Sequence, residues 1–294
     1  MAKPKKRKRK SFPPAATEPA SKPRESAMDL SGGRKRWELI ALFFVIAIGG
    51  TYLAVWMKPR SDVPRFGYKE VVRYKHDPSA FTQGLLFHEG LLYESTGLLE
   101  KSTIRKVELE SGKVLSQKKL PDDFFGEGLV EFDNQLIQIT WQNGVGIVYD
   151  TDLNEVRRFQ YKHEGWGICT DGESLIISDG TDRLRYLDPE TFEETGQLIV
   201  RRKDRRILGQ LNELEYFGSK IYANRYQSDI IYRIDARTGF VEAIIDLGGL
   251  WPIKERPSNN AVLNGIAIKP DAKGKMWVTG KLCPHLYEIE IVPK

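Results

Sequence analysis

The sequence is poor in the residues from which many enzyme sites are built. Of 294 residues only Cys169 and Cys283 are cysteine, and only His76, His88, His163 and His285 are histidine. Two cysteines make no disulfide framework and no C-x-x-C redox or metal motif; one bridge or two free thiols both stay open. The histidines fit no H-E-x-x-H pattern, and the chain has neither a G-x-S-x-G elbow nor a Walker-type phosphate loop. The common zinc, serine-hydrolase and nucleotide signatures are thereby excluded. After residue 60 there is also no helix-period apolar stretch and no N-x-Ser/Thr sequon.

Charge is distributed unevenly. Residues 1–36 hold 12 Lys or Arg against Glu18, Glu25 and Asp29, a balance of +9 within a chain of +5, which leaves −4 for residues 37–294. The basic character belongs to the tail, and a mildly acidic body is not a phosphate-backbone binder, so no nucleic-acid partner is expected. Leu39–Met57 is an uncharged run of 19 residues. As a helix at 1.5 Å per residue it reaches about 28 Å, the depth of a bilayer core. Arg34, Lys35 and Arg36 precede it, Lys58 and Arg60 follow, and Trp37 and Trp56 stand at interfacial positions. The positive-inside bias predicts a cytoplasmic N-terminus and a body on the exoplasmic side, in a periplasm or a secretory lumen. A cleaved signal peptide is the rival reading, but the run is long, follows a long basic tail and lacks a clear small-x-small site. With a span downstream, the Lys3–Lys10 cluster reads as a solvated topology signal. The expected division is a basic, disordered cytoplasmic tail (1–36), a transmembrane signal anchor (37–57), a linker (58–67) and one large domain (68–294).

That domain consists of short alternating apolar segments broken by Gly, Asp and Asn turns, and it repeats. FTQGLLF, FGEGLVEF, EGWGICT, LNELEYF and LNGIAIK align so that Gly84, Gly128, Gly167, Glu213 and Gly265 correspond, at separations of 44, 39, 46 and 52. An acidic residue before a turn, at Glu108, Asp150, Asp188 and Asp235, recurs independently at 42, 38 and 47. Each unit contains four strand-like runs, the signature of a propeller blade. The fifth unit has three (Val262–Ile268, Met276–Thr279, Leu286–Val292), and a spare strand, Tyr68–Tyr74, precedes the first unit. The expectation is an all-β, five-bladed β-propeller whose two chain ends share the last blade, which hides the edges of an open sheet.

In such a ring the positions leading into the innermost strands meet those that end the second strands. The first set is Gln83, Glu127, Trp166, Asn212 and Asn264; the second is Ser95, Thr96, Trp141, Asp179, Tyr226 and Lys281. Amides, aromatics, one carboxylate and one amine would surround a single pocket, with Asp179 in SDGTD read as a turn former. Glu127 beside Phe125 should have its charged form disfavoured and its pKa raised.

Ten segments in order, FTQGLLF, YESTGL, FGEGL, QITW, EGWGI, SDGT, LNELEY, DLGGL, LNGIA and VTGKL, make residues 68–292 similar to the plant-type glutaminyl-peptide cyclotransferases. The resemblance implies an acyltransferase that converts an N-terminal glutamine of a peptide or protein to pyroglutamate with release of ammonia, without a cofactor or metal. It places the pocket on Phe81, Gln83, Phe125, Glu127, Trp141, Trp166, Asn212 and Lys281, with Tyr226 where the family usually has Trp and Cys283 where plant members usually have Trp. In this reading Glu127 transfers protons and Lys281, with Gln83 and Asn212, binds the amide oxygen, while Asn264 joins the substrate-binding wall and the chain acts as a monomer. Two other readings stay open. Glu127, Asn212 and Asn264 also resemble the ligand set of calcium-dependent lactonase propellers, against which the ammonium of Lys281 weighs; an inactive, peptide-binding propeller is the third.

Overall fold

The computed structural model describes residues 63–203, 208–272 and 274–294. The expected tail, the apolar run Leu39–Met57 and residues 58–62 of the linker lie outside the described residues, among which no helix is long and apolar enough to cross a membrane. The domain is all-β. β1 (Arg65–Lys75) precedes four-stranded meanders β2 (Thr82–His88), β3 (Leu91–Thr96), β4 (Thr103–Val107), β5 (Val114–Lys119); β6 (Gly126–Phe132), β7 (Gln135–Thr140), β8 (Val145–Tyr149), β9 (Glu155–Gln160); β10 (Gly167–Thr170), β11 (Leu175–Ser178), β12 (Arg183–Leu187), β13 (Glu194–Ile199); and β14 (Leu211–Phe217), β15 (Lys220–Arg225), β16 (Ile230–Asp235), β17 (Val241–Asp246). The chain ends with β18 (Leu263–Ala267), β19 (Lys275–Gly280) and β20 (His285–Pro293).

The fifth sheet is completed by the first strand. β1 lies antiparallel to β20 from Phe66 opposite Pro293 to Lys75 opposite His285. It starts three residues earlier than the alternation predicts, because Arg65 and Phe66 also pair in parallel with Ile244 and Ile245 of β17. This extra pairing merges the last two meanders into one eight-stranded sheet. The innermost strands touch in cyclic order, β2 to β6, β10, β14, β18 and back to β2. The arrangement is compatible with a five-bladed propeller.

Burial follows position in the sheet. The inner strands GEGLVEF and LNGIA are buried almost throughout, whereas the outer strands VLSQKK and EVRRFQ are mostly exposed and polar. Five apolar clusters form, each between adjacent sheets. The cluster joining Leu85, Leu92 and Val107 of the first sheet to Trp277 and Leu286 of the last seals the ring. At about 1.5–3 kcal/mol per large apolar side chain, exposing these five would remove most of the margin by which a domain is folded. Cys169 and Cys283 are buried free thiols in different clusters, which settles the open question of a bridge.

Both sequence landmarks have a physical cause. The recurring acid caps the turn between third and fourth strands: Asp150 Oδ1 accepts from the N–H of Asn154 at 2.8 Å, Asp188 Oδ1 from Thr191 at 2.8 Å and Asp235 Oδ1 from Thr238 at 2.9 Å. The recurring glycine marks where inner strands approach most closely; a Cβ on Gly167 would lie 2.1 Å from the carbonyl oxygen of Asn212. Glu213, the odd member of that series, sends its carboxylate to the innermost strands of the first and last units, accepting from Leu85 N at 3.3 Å and Ile266 N at 2.9 Å.

Candidate active site

The pairing register is interrupted where the polar residues sit. It skips between Thr82 and Gly84, Gly126 and Leu129, Leu211 and Leu214, and Leu263 and Ile266. Gln83, Glu127, Asn212 and Asn264 therefore occupy β-bulges, which turn a side chain out of the alternation and are common beside active sites. The freed carbonyls are satisfied by the next sheet: Ser95 donates its hydroxyl to the carbonyl of Glu127, and Ser178 donates to Asn212 O at 2.7 Å. Ser95 is thus a support, not a wall of the pocket.

The bulges bring their side chains together. Gln83 Nε2 donates to Glu127 Oε1 at 2.8 Å, and Asn264 Nδ2 donates to Thr82 O at 3.1 Å and to Gln83 Oε1 at 3.3 Å. Asn212 and Asn264 are buried, and among the described residues the Oδ1 of each has no hydrogen-bond partner. Glu127 is buried; desolvation pushes its pKa well above the carboxylate range, opposed by Lys281 and assisted by Glu164. That is the direction expected from its sequence neighbours.

Lys281 follows β19 and pairs in an isolated bridge with Phe81, which binds the last sheet to the first. Its ammonium stands 4.9 Å from the centre of the Phe81 ring and 5.1 Å from that of Tyr226. Among the described residues it has no carboxylate within 4 Å. Burial pushes its pKa down to about 8, with the charge of Glu127 opposing the shift. The acid of the second sheet and the amine of the fifth thus share one end of the ring and sense each other's charge.

Rings enclose this pair. Phe125 meets Phe81 edge-on at 6.1 Å and Trp141 at 5.7 Å, while Trp166 meets Tyr226 edge-on at 5.6 Å. Gly180, at a φ of 77°, makes room for Trp166, since a Cβ there would lie 2.7 Å from the indole. Asp179 is a turn residue, accepting from Thr181 N at 3.0 Å and pairing with Arg185 at 3.0 Å. Of the ten expected pocket residues, Gln83, Glu127 and Asn264 are joined by hydrogen bonds and Phe81, Phe125, Trp141, Trp166, Tyr226 and Lys281 by ring contacts, while Asn212 occupies the corresponding bulge of β14.

One residue at this end escaped the sequence reading. Glu164 accepts from the indole Nε1 of Trp141 at 2.9 Å and of Trp166 at 3.0 Å, and from Gln142 Nε2 at 3.0 Å. Its place two residues before Trp166 in EGWG was the available signal, but a loop carboxylate reads as solvated. Among the described residues no three His, Cys, Asp or Glu side chains cluster as metal ligands.

Comparison with known proteins shows the family. A sequence model described as glutamine cyclotransferase matches residues 44–291. The glutaminyl-peptide cyclotransferase of Arabidopsis thaliana is 43% identical over 226 residues, 75% of this chain and 70% of that one. The crystal structure of Myxococcus xanthus glutaminyl cyclase superposes with a TM-score of 0.74 at 33% identity, covering 79% of this chain and 100% of that chain. A buried acid on a bulged inner strand and a buried amine just past a second strand, in a chain so matched along most of its length, belong to a member of the glutamine cyclotransferase family.

Proposed function

We propose that this chain is a five-bladed propeller enzyme that cyclises the N-terminal glutamine of peptides or proteins to pyroglutamate. The carrying observation is the pairing, at one mouth, of a buried carboxyl with raised proton affinity and a buried ammonium with lowered affinity. The substrate's neutral α-amine attacks its own γ-amide carbon. Glu127, as carboxylate, accepts the proton that the attacking nitrogen loses and delivers it to the departing nitrogen; the C–N bond of the side-chain amide breaks and ammonia leaves. The carboxylate is regenerated, so no cofactor is consumed. A positioned acid/base of this kind contributes about 10²- to 10⁴-fold.

Lys281, without a carboxylate within 4 Å among the described residues, faces the oxygen on which charge develops, and Asn212 and Gln83 assist it. Phe81, Phe125, Trp141, Trp166 and Tyr226 fold the glutamine side chain back on its amine and exclude water, which favours ring closure over hydrolysis. Asn264 holds the Gln83 amide in place. One chain supplies every group, consistent with a monomer. The same proposal includes an uncleaved anchor at 37–57 with the body on the exoplasmic side; its support is the 19-residue uncharged run Leu39–Met57 with basic flanks.

The test is to incubate the full-length chain with a glutamine-leading peptide and follow ammonia release together with the matching mass loss. A peptide that stays intact at high enzyme concentration overturns the proposed activity.

A further inference from the structure

The two indoles of the pocket come from different sheets, Trp141 from the end of β7 and Trp166 from the approach to β10. Their main chains are fixed by backbone bonds, Trp141 N to Phe125 O at 3.0 Å and Trp166 N to Ser178 O at 2.9 Å. The side chain of Trp141 is less constrained: the residue is 37% exposed, and its ring partner is Phe125 alone among the described residues. Without a further contact its two side-chain torsions would let the indole swing toward water. Glu164 supplies that contact, because a single oxygen, Oε2, accepts from both indole N–H groups. Oε1 is held in turn by Gln142, the residue next to Trp141.

We propose that Glu164 is a positioning residue of the cyclisation pocket, a carboxylate clamp that fixes Trp141 and Trp166 as one wall against which the substrate's glutamine side chain folds. This rests on the cyclotransferase reading and extends it. Hydrogen bonds to an ionised acceptor are roughly twice as strong as neutral ones. Burial alone would raise the proton affinity of Glu164, but the three donors outweigh it and hold the pKa below the ordinary value, so the clamp is charged at neutral pH. Reactions that depend on a folded substrate lose about 10²-fold when a wall moves by 1 Å.

The test uses the full-length chain and a glutamine-leading peptide, with thermal midpoints as the folding control. Glu164→Ala is expected to lower kcat/KM by about tenfold or more, with kcat reduced as well as KM raised, and to shift the tryptophan emission. Glu164→Gln, which keeps one carbonyl oxygen for the indoles, should recover most of both. In a Trp141→Phe/Trp166→Phe background the Ala substitution should cost far less, leaving only what the loss of the Glu164 charge does to Glu127, since the clamp has no indole left to hold. An equal loss in that background, or wild-type kinetics in Glu164→Ala, overturns the clamp. If the wild-type chain releases no ammonia, the cyclotransferase reading fails by itself, and unchanged emission in Glu164→Ala then overturns the clamp separately.

Discussion

The amide of Gln83 donates to Glu127 Oε1 at 2.8 Å, which ties the first sheet to the second across the mouth of the ring. The bond supports the carboxyl without an opposite charge in direct contact, so burial governs its proton affinity. A group that must both take and give a proton near neutral pH benefits from such a setting.

Replacing Glu127 by Gln keeps an acceptor for Gln83 and removes the proton carrier. We expect kcat to fall by about 10²- to 10⁴-fold, with a thermal midpoint equal to or above wild type, since a neutral side chain is no longer opposed by burial. Steady-state kinetics and a melting curve check both parts; retained turnover removes the proton-transfer role.

Lys281→Met should lower kcat more than it changes KM, because the ammonium acts on charge that appears only in the transition state. With its pKa near 8, the ammonium is present below that pH and lost above it. At saturating peptide, kcat is expected to decline as pH rises through about 8, and the decline should be absent from the residual activity of Lys281→Met. A flat alkaline profile in wild type argues against the assignment.

Glu215 accepts from Ile268 N at 2.8 Å, and burial pushes its pKa up to about 8. Its folded value lies above its unfolded one, so it is protonated in the folded chain at neutral pH. The stability it contributes is complete below the ordinary carboxylate pKa and is lost as pH rises toward 8. Between pH 5 and 8 the melting temperature of wild type should fall more steeply than that of Glu215→Gln; parallel curves would reject the linkage.

Two glycines should respond oppositely to the same substitution. Gly167→Ala drives a Cβ into the backbone of the neighbouring inner strand, 2.1 Å from Asn212 O, whereas a Cβ on Gly196 meets nothing within 4 Å. The first is expected to cost at least about 3 kcal/mol and the second to be neutral or stabilising by about 0.4–1 kcal/mol. Denaturant or thermal unfolding of the two variants decides it, and equal stabilities would show that the strands can separate freely.

Much of this was legible in the chain because repetition exposes it. The period revealed by Gly84, Gly128 and Gly167 reflects close strand approach, continued by Gly265 at a φ of 111°, and the one at Asp150, Asp188 and Asp235 reflects turns that need a side-chain acceptor. The spare strand before the first unit could be paired with β20 by counting alone, and strand limits agree to within about two residues elsewhere in that sheet. The bulges at Gln83, Glu127, Asn212 and Asn264 left no local mark, since a register slip belongs to two strands at once. Glu164 was equally hidden: its role depends on indole donors from two sheets.

Local patterning by itself settled the all-β class and the residue types available for chemistry, because turn formers and alternation act over a few neighbouring positions. Only the closed ring decided which of those residues lose water, which donors reach which acceptors, and hence the proton affinities of Glu127 and Lys281. Burial and charge interaction depend on distances between parts of the chain far apart in sequence, and those distances exist only once the last sheet has been sealed against the first.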